Sequence, residues 1–220
     1  AAAACLRRRG ARVAVLDMNV STVPADQLAV TCDVTDTESV VAAVAAVVSE
    51  YGAVDIVVNN AGIGAIGSVD VTHEAEWRQV LDVNVIGTAR VTAEALPHLR
   101  RSNHASVVNM CSAVAFVGVR NRAAYSASKG AIHALTLAMA ADHVEDGIRV
   151  NAVAPGTADT PWITRLLAQA TTRTPRPKPS ENGSPWVAWS LPRRSQSRSP
   201  RLPRHWPHQR QAPSFASTEG

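Results

Sequence analysis

The chain has 220 residues, of which 46% are hydrophobic, 18% charged and 4% aromatic. That length suits one domain with an appendage and is ample for a packed core; no apolar run reaches the roughly 18 residues of a membrane span. The net charge of +4 hides a split: residues 1–170 carry a net −3 and residues 171–220 a net +7. A nucleic-acid reading of the basic pI therefore rests on the last segment alone.

Three cysteines (Cys5, Cys32 and Cys111) are widely spaced. They form neither a disulfide framework nor a zinc pattern, and read as reduced thiols of a cytoplasmic protein. The histidines His73, His98, His104, His133 and His143 show no metal spacing. Ala1 to Gly10 has no apolar signal-peptide core.

In chain order, Ala1 to Gly10 reads as the end of a helix, with Arg7, Arg8 and Arg9 as its basic C-terminal cap. Residues 11–17 and 28–33 are short apolar runs that read as buried strands ending in Asp17 and Asp33. Thr35 and Glu38 form a capping-box pattern that opens a helix over 36–50, and Gly52 stops it. Val54 to Val58 predicts a third strand, followed by Asn59, Asn60, Ala61 and Gly62. A long helix is expected over 73–100 with Asn84 and Gly87 near its middle. Ala105 to Met110 predicts a strand, 123–143 a helix, and Ile148 to Val153 another strand. Strands of near-continuous Val, Ile and Leu alternating with helices predict an α/β, Rossmann-like, doubly wound parallel sheet with helices on both faces. Ligands of such sheets sit at the carboxyl ends of the strands.

Tyr125 and Lys129 lie four residues apart on a helix and so share one face. A free phenol has a pKa near 10, and a nearby ammonium favours its ionised form. The pair is a candidate proton donor and acceptor. Ser112 follows a strand 13 residues before Tyr125, and Asn84 interrupts a helix otherwise rich in Ala, Leu and Val. With Asn59-Asn60-Ala61-Gly62 and the run Asn151 to Gly156, this order and spacing resembles the short-chain dehydrogenase/reductase family over residues 1–170.

The resemblance implies roles. Tyr125 would be the general acid/base on the substrate oxygen, and Lys129 would lower its pKa and bind the nicotinamide ribose. Ser112 would orient the substrate oxygen, and Asn84 would hold a water linking Lys129 to solvent. Pro155, Gly156 and Thr160 would shape the nicotinamide end. Asn60, Ala61 and Gly62 would line the adenine-ribose side, and Asp33 and Val34 would touch adenine. Asp17 at its strand end would accept from a ribose 2′-hydroxyl and repel a 2′-phosphate, which favours NAD over NADP. The implied activity is hydride transfer between NAD(H) and a secondary alcohol or ketone. The implied assembly is a homo-oligomer of the intact form through the helices near 73–100 and 123–143. Residues 155–162 are similar to members acting on small hydroxy acids or sugar acids.

One literal match is set aside. Gly62-x-Gly64-x-x-Gly67 fits a dinucleotide fingerprint, but Val69, Asp70 and Val71 intervene before the next helix, so it does not open one. It reads as a flexible loop beside the active site. Cys111 reads as a packing residue. Ser126 and Ser128 lack a nucleophile-elbow setting.

The family's first strand and glycine-rich phosphate loop would precede Ala1, and neither is found in the chain. Residues 171–220 are rich in Pro, Arg and Ser and read as a disordered tail. Read two nucleotides out of frame, their codons permit M-G-R-L-V-(S/T)-P-E-E-I-A-E over Pro185 to Ser197 and R-V-D-G-G over Phe215 to Gly220. The first resembles a stretch near the family's end and the second its usual close, and the same offset permits A-D-P-A-A-E-A-E-R-E-R-Q over Thr172 to Ser184. With one offset serving three segments in order, residues beyond about 170 are expected to be a frameshifted reading, which resequencing the gene tests. The chain as written is accordingly expected to be an inactive fragment, marginally stable and weak in NAD binding. The rival reading is a non-catalytic protein whose basic tail contacts nucleic acid or an acidic partner. The reading-frame account makes nucleic acid an unexpected partner, and no membrane association is expected.

Overall fold

The structure is a computed structural model that describes residues 2–156. The tail 171–220, the domain boundary near 170 and Thr160 lie outside the described residues.

Helix α1 spans Ala2–Arg8 and carries Arg7 and Arg8 in its last turn, and it buries none of its residues. Strands β1 (Ala14–Asp17) and β2 (Leu28–Thr31) follow. Helix α2 (Thr37–Tyr51) starts one residue later than the capping-box pattern suggests. Asp36 is the cap, accepting from Glu38 N, because the Thr35 hydroxyl is engaged with the Asp33 carboxylate at 2.7 Å. Gly52 closes α2 in a left-handed conformation, φ 77°, with its N–H on Val48 O. Strand β3 is Ile56–Asn59, and the long helical stretch is three pieces: α3 (Glu74–Leu81), a π-helical segment (Asp82–Ile86) and α4 (Gly87–Leu99). Strand β4 (Ser106–Met110), helix α5 (Ala123–Asp142) and strand β5 (Arg149–Val153) complete the order.

All strand pairs are parallel, in two sheets: β1-β2 and β3-β4-β5. In the doubly wound order 3-2-1-4-5-6 these take the places of strands 2 and 3 and of strands 4 to 6, and the break falls at the place of strand 1. Sequence reasoning expects central positions to be left unpaired at that place.

The sheets are flanked by helices. Leu16 and Val30 pack under Val40, Ala43 and Val44 of α2. Val57, Val107 and Val150 pack under Ala95 and Leu99 of α4 and Met139 of α5. Val91 of α4 touches both clusters and so ties the two sheets together. Each fully buried valine of this set contributes about 1.5 kcal/mol or more. Strand pleating puts alternate residues on opposite faces. Val57 and Asn59 are buried, whereas Ile56 and Val58 are exposed. Among the described residues, the packed helical cover therefore lies on one face of β3.

Gly87 opens α4 where it crosses the turn after β2. A β-carbon there would stand 2.8 Å from Val34 Cγ2 and 3.3 Å from the Val34 carbonyl oxygen. We predict that Gly87→Ala lowers stability by about 1–3 kcal/mol, because the overlap exceeds the roughly 1 kcal/mol gained in helix propensity. Thermal denaturation checks it; a higher midpoint would show that the Val34 turn yields freely.

Candidate active site

The carboxyl ends of β3, β4 and β5 converge on the start of α5. The π-helical segment accounts for Asn84. Its extra residue per turn, seen in the Gly87 N–H to Asp82 O bond, lies where Asn84 turns inward. Val80, Asn84, Thr88 and Thr92 then form one buried stripe. The Asn84 amide is held at both ends. Its Oδ1 accepts from Ile63 N at 2.8 Å, and its Nδ2 donates to Ile63 O and to Ser128 Oγ, each at 2.9 Å. It thereby fixes the loop after β3 against α5. Gly62 must be small there: a β-carbon would lie 3.2 Å from Asn84 Oδ1 and 3.5 Å from Lys129 Nζ.

Tyr125 and Lys129 sit one turn apart on α5, as the four-residue spacing predicts. The Lys129 ammonium lies 5.8 Å from the Tyr125 ring centroid and donates to Met110 O at 2.7 Å. Lys129 is only 4% exposed, and of its three N–H donors one is bonded to Met110 O among the described residues, in a nearly dry setting. Burial pulls its pKa down, opposed by the Cys111 thiol. The Ser112 and Tyr125 side chains are hydrogen-bonded. Burial pushes the Tyr125 phenol up, against the Ser112 hydrogen bond and the Arg122 charge, which favour the phenolate. Burial thus governs the phenol's pKa, and the ammonium points at a backbone carbonyl.

Pro155 is drawn in by the backbone: Cys111 N–H donates to Val153 O at 2.8 Å and Ala113 N–H to Pro155 O at 2.9 Å. Asn84, Ser112, Tyr125, Lys129, Gly62 and Pro155 thus form one cluster, with Gly156 next in the chain. Asn60 and Ala61 are exposed at the end of β3. Asp17, Asp33 and Val34 stand at the ends of the other sheet. Asp17 is exposed, and its Oδ1 accepts from Asn19 N at 3.0 Å. Asp33 accepts from Thr35 N at 2.8 Å, and this bond, with the Thr35 hydroxyl, holds its carboxyl below the usual range.

The glycine run 62–67 does not open a helix. Gly67 instead pairs with Arg122 in a parallel bridge beside α5. Cys111 is 2% exposed and its Sγ lies 3.3 Å from Lys129 O; burial pushes the thiol up, which suits a packing role.

Sequence reasoning missed the roles of Ser128 and Arg122 and the pairing of Asn59 with Asn109. Ser128 supports Asn84, Arg122 approaches Tyr125, and Asn59 with Asn109 forms a buried polar link under the site. Ser128 and Arg122 each lie three residues from Tyr125, a spacing that could have flagged them. The Asn59–Asn109 pairing depends on strand register and left no local signal.

The comparisons with known proteins agree with this geometry. The short chain dehydrogenase family profile matches residues 1–170. The chain is 38% identical over 170 residues to the inactive 2-(S)-hydroxypropyl-CoM dehydrogenase 2 of Xanthobacter autotrophicus, covering 74% of each protein. It is 38% identical over 175 residues to the 2-(R)-hydroxypropyl-CoM dehydrogenase of the same organism, covering 73% of this chain and 70% of that one. Among solved structures, ligand-free aldohexose dehydrogenase from Thermoplasma acidophilum superimposes with a TM-score of 0.73 at 33% identity, over 79% of this chain and 67% of that one. NAD+-bound xylitol dehydrogenase gives 0.70 at 33% identity, over 77% and 70%. Apart from the relative named as inactive, these are dehydrogenases by name, and the chain belongs to the short-chain dehydrogenase family, oxidoreductases that act on alcohol groups.

Proposed function

We propose that this site oxidises a secondary alcohol, or reduces the matching ketone, with NAD(H) as the hydride partner. The observation that carries the reading is the Ser112–Tyr125–Lys129 cluster: a half-buried phenol bonded to a serine hydroxyl, with a buried ammonium near its ring. Tyr125 takes the alcohol proton as the phenolate, or gives it to the ketone as the phenol. Ser112 holds the same oxygen in line with the phenol. Lys129 stabilises the phenolate and offers N–H donors to ribose hydroxyls. Asn84 keeps the Ile63 loop and α5 in register around them.

The donor set suits a nicotinamide dinucleotide. A dry ammonium stands at one sheet and an exposed carboxylate, Asp17, at the end of the other. The bound nicotinamide would supply the hydride acceptor. Asp17 accepting from a 2′-hydroxyl favours NAD over NADP. Xylitol dehydrogenase with NAD+ is one structural neighbour, which supports that choice. Among the described residues no helix is long and apolar enough to cross a membrane.

The test uses the protein expressed from its gene. With secondary alcohols as substrates, NAD+ is reduced faster than NADP+, and Asp17→Ala narrows that difference at least several-fold. No cofactor reduction with any secondary alcohol, or a preference for NADP+ that Asp17→Ala leaves unchanged, would overturn the reading.

A further inference from the structure

The geometry points to Arg122 as a positioning residue for Tyr125: it straps the loop after β3 to the start of α5 and holds a positive charge beside the phenol. The inference rests on the reading of Tyr125 as the acid/base.

Arg122 stands immediately before α5, three residues from Tyr125. Its Nη1 donates to Ala65 O at 3.0 Å. The backbone on either side grips the same loop: Gly67 N–H donates to Asn121 O at 3.0 Å, and Ala123 N–H donates to Gly67 O at 3.1 Å. Three hydrogen bonds from residues 121–123 thus converge on Ala65 and Gly67.

The local backbone is built for this contact. Asn121 is the one non-glycine residue with positive φ, 56°, among the described residues. Asparagine tolerates that region better than most side chains. At Gly67 a β-carbon would meet Thr72 Oγ1 at 2.3 Å, so the close approach needs glycine. Beneath the strap, Ala65, Val80 and Ala124 form a buried cluster, and Ile63, Trp77 and Tyr125 pack on it. Holding the loop therefore holds one wall of the tyrosine's pocket.

The guanidinium is half-buried, and no carboxylate pairs with it among the described residues. Burying an unpaired cation opposes folding. Its charge and the phenolate favour each other: Arg122 draws the Tyr125 pKa down, and Tyr125 draws that of Arg122 up against burial. Among the described residues, Ser112 and Cys111 after β4 and Lys129 on α5 also stand near the phenol. Held by Ala65 O, Arg122 supplies a fixed positive charge near the phenol.

The chain holds two tyrosines, Tyr51 and Tyr125. In a Tyr51→Phe background, tyrosinate absorbance therefore reports Tyr125 alone, with neither cofactor nor substrate present. Titration is read over the pH range in which far-ultraviolet circular dichroism is constant. Arg122→Gln moves the midpoint up by about half a pH unit or more, and Arg122→Lys keeps it near that of the parent. Hydrogen exchange over residues 63–67 becomes faster in Arg122→Gln. Arg122→Met, which keeps the packing of the stem, serves the same comparison should the glutamine variant not fold. Faster exchange without a midpoint shift would reduce Arg122 to a structural strap and overturn its role toward Tyr125. Unchanged exchange would overturn the strap itself. Loss of activity in Tyr125→Phe is read separately, so failure of the acid/base reading is distinct from failure of this one.

Discussion

Replacing Tyr125 by Phe lowers kcat/KM for alcohol oxidation by about 10²–10⁴-fold, the range that a positioned general acid/base contributes. The change deletes one oxygen from a packed aromatic side chain that shares a cluster with Ala65, Val80 and Ala124. The ring keeps its packing, so thermal stability and cofactor affinity change little. Ser112→Ala and Lys129→Met act on the same proton and are expected to be non-additive with Tyr125→Phe. The pH dependence follows from the burial of the phenol. Because burial raises its pKa, the phenolate that accepts the alcohol's proton is scarce at neutral pH in the free protein. Oxidation therefore accelerates as pH rises toward the phenol's pKa, whereas ketone reduction, which uses the neutral phenol, slows. The stability linkage has a matching sign: a folded-state pKa above the unfolded value contributes stability below the unfolded pKa and loses it as pH rises through the folded one. Lys129 runs the other way, since its depressed pKa means that burying its charge costs most at low pH and the cost eases as pH rises. Stopped-flow or steady-state rates over pH separate these effects; a Tyr125→Phe rate within threefold of the parent would remove the tyrosine from the reaction.

Asn109→Ala lowers stability by about 3 kcal/mol, more than any surface change in the molecule. Asn109 is fully buried on β4. Its Oδ1 accepts from Asn59 Nδ2 and its Nδ2 donates to Thr136 Oγ1, both at 2.9 Å. Asn59 in turn donates to Thr92 Oγ1 at 2.9 Å. The chain Thr92–Asn59–Asn109–Thr136 thus runs from α4 across β3 and β4 to α5, entirely below the site. Truncation leaves one Asn59 N–H and one Thr136 lone pair without partners in a dry setting. Each such loss costs about 1–3 kcal/mol, and the cavity adds to it. Asn109→Asp discriminates between a packing and a bonding account. It preserves volume but cannot donate to Thr136, so it should cost at least as much as alanine. Denaturant unfolding with Thr136→Val in a double-mutant cycle measures the coupling; additive losses would show that the four residues act independently.

The sequence made the strand–helix alternation legible because apolar runs and cap signals are local. The spacing of Tyr125 and Lys129 translated directly into geometry, since four residues along α5 fix a shared face. Asn84 was visible as a polar intruder in an apolar helix, but its means of turning inward was not. The π-helical segment at Asp82–Ile86 has no composition signal and follows from tertiary demands at Ile63 and Ser128. The cap of α2 moved from Thr35 to Asp36 because Asp33 competes for the threonine hydroxyl, a bond that a window of sequence does not rank. Asn109 and Thr136 lay hidden for a different reason. Asn109 lies 50 residues from Asn59 and 27 from Thr136 along the chain, and only strand register and helix packing bring them into line.

The central claim is that this site passes a hydride between an alcohol carbon and NAD while Tyr125 passes the proton. Its most direct test is isotope transfer with the protein expressed from its gene, using a secondary alcohol deuterated at the carbinol carbon. The account predicts that the reduced nicotinamide formed from NAD+ carries the alcohol's deuterium, and that Tyr125→Phe suppresses its formation without altering where the label goes. Reduced nicotinamide that acquires its hydrogen from solvent, or no transfer from any secondary alcohol, would contradict it.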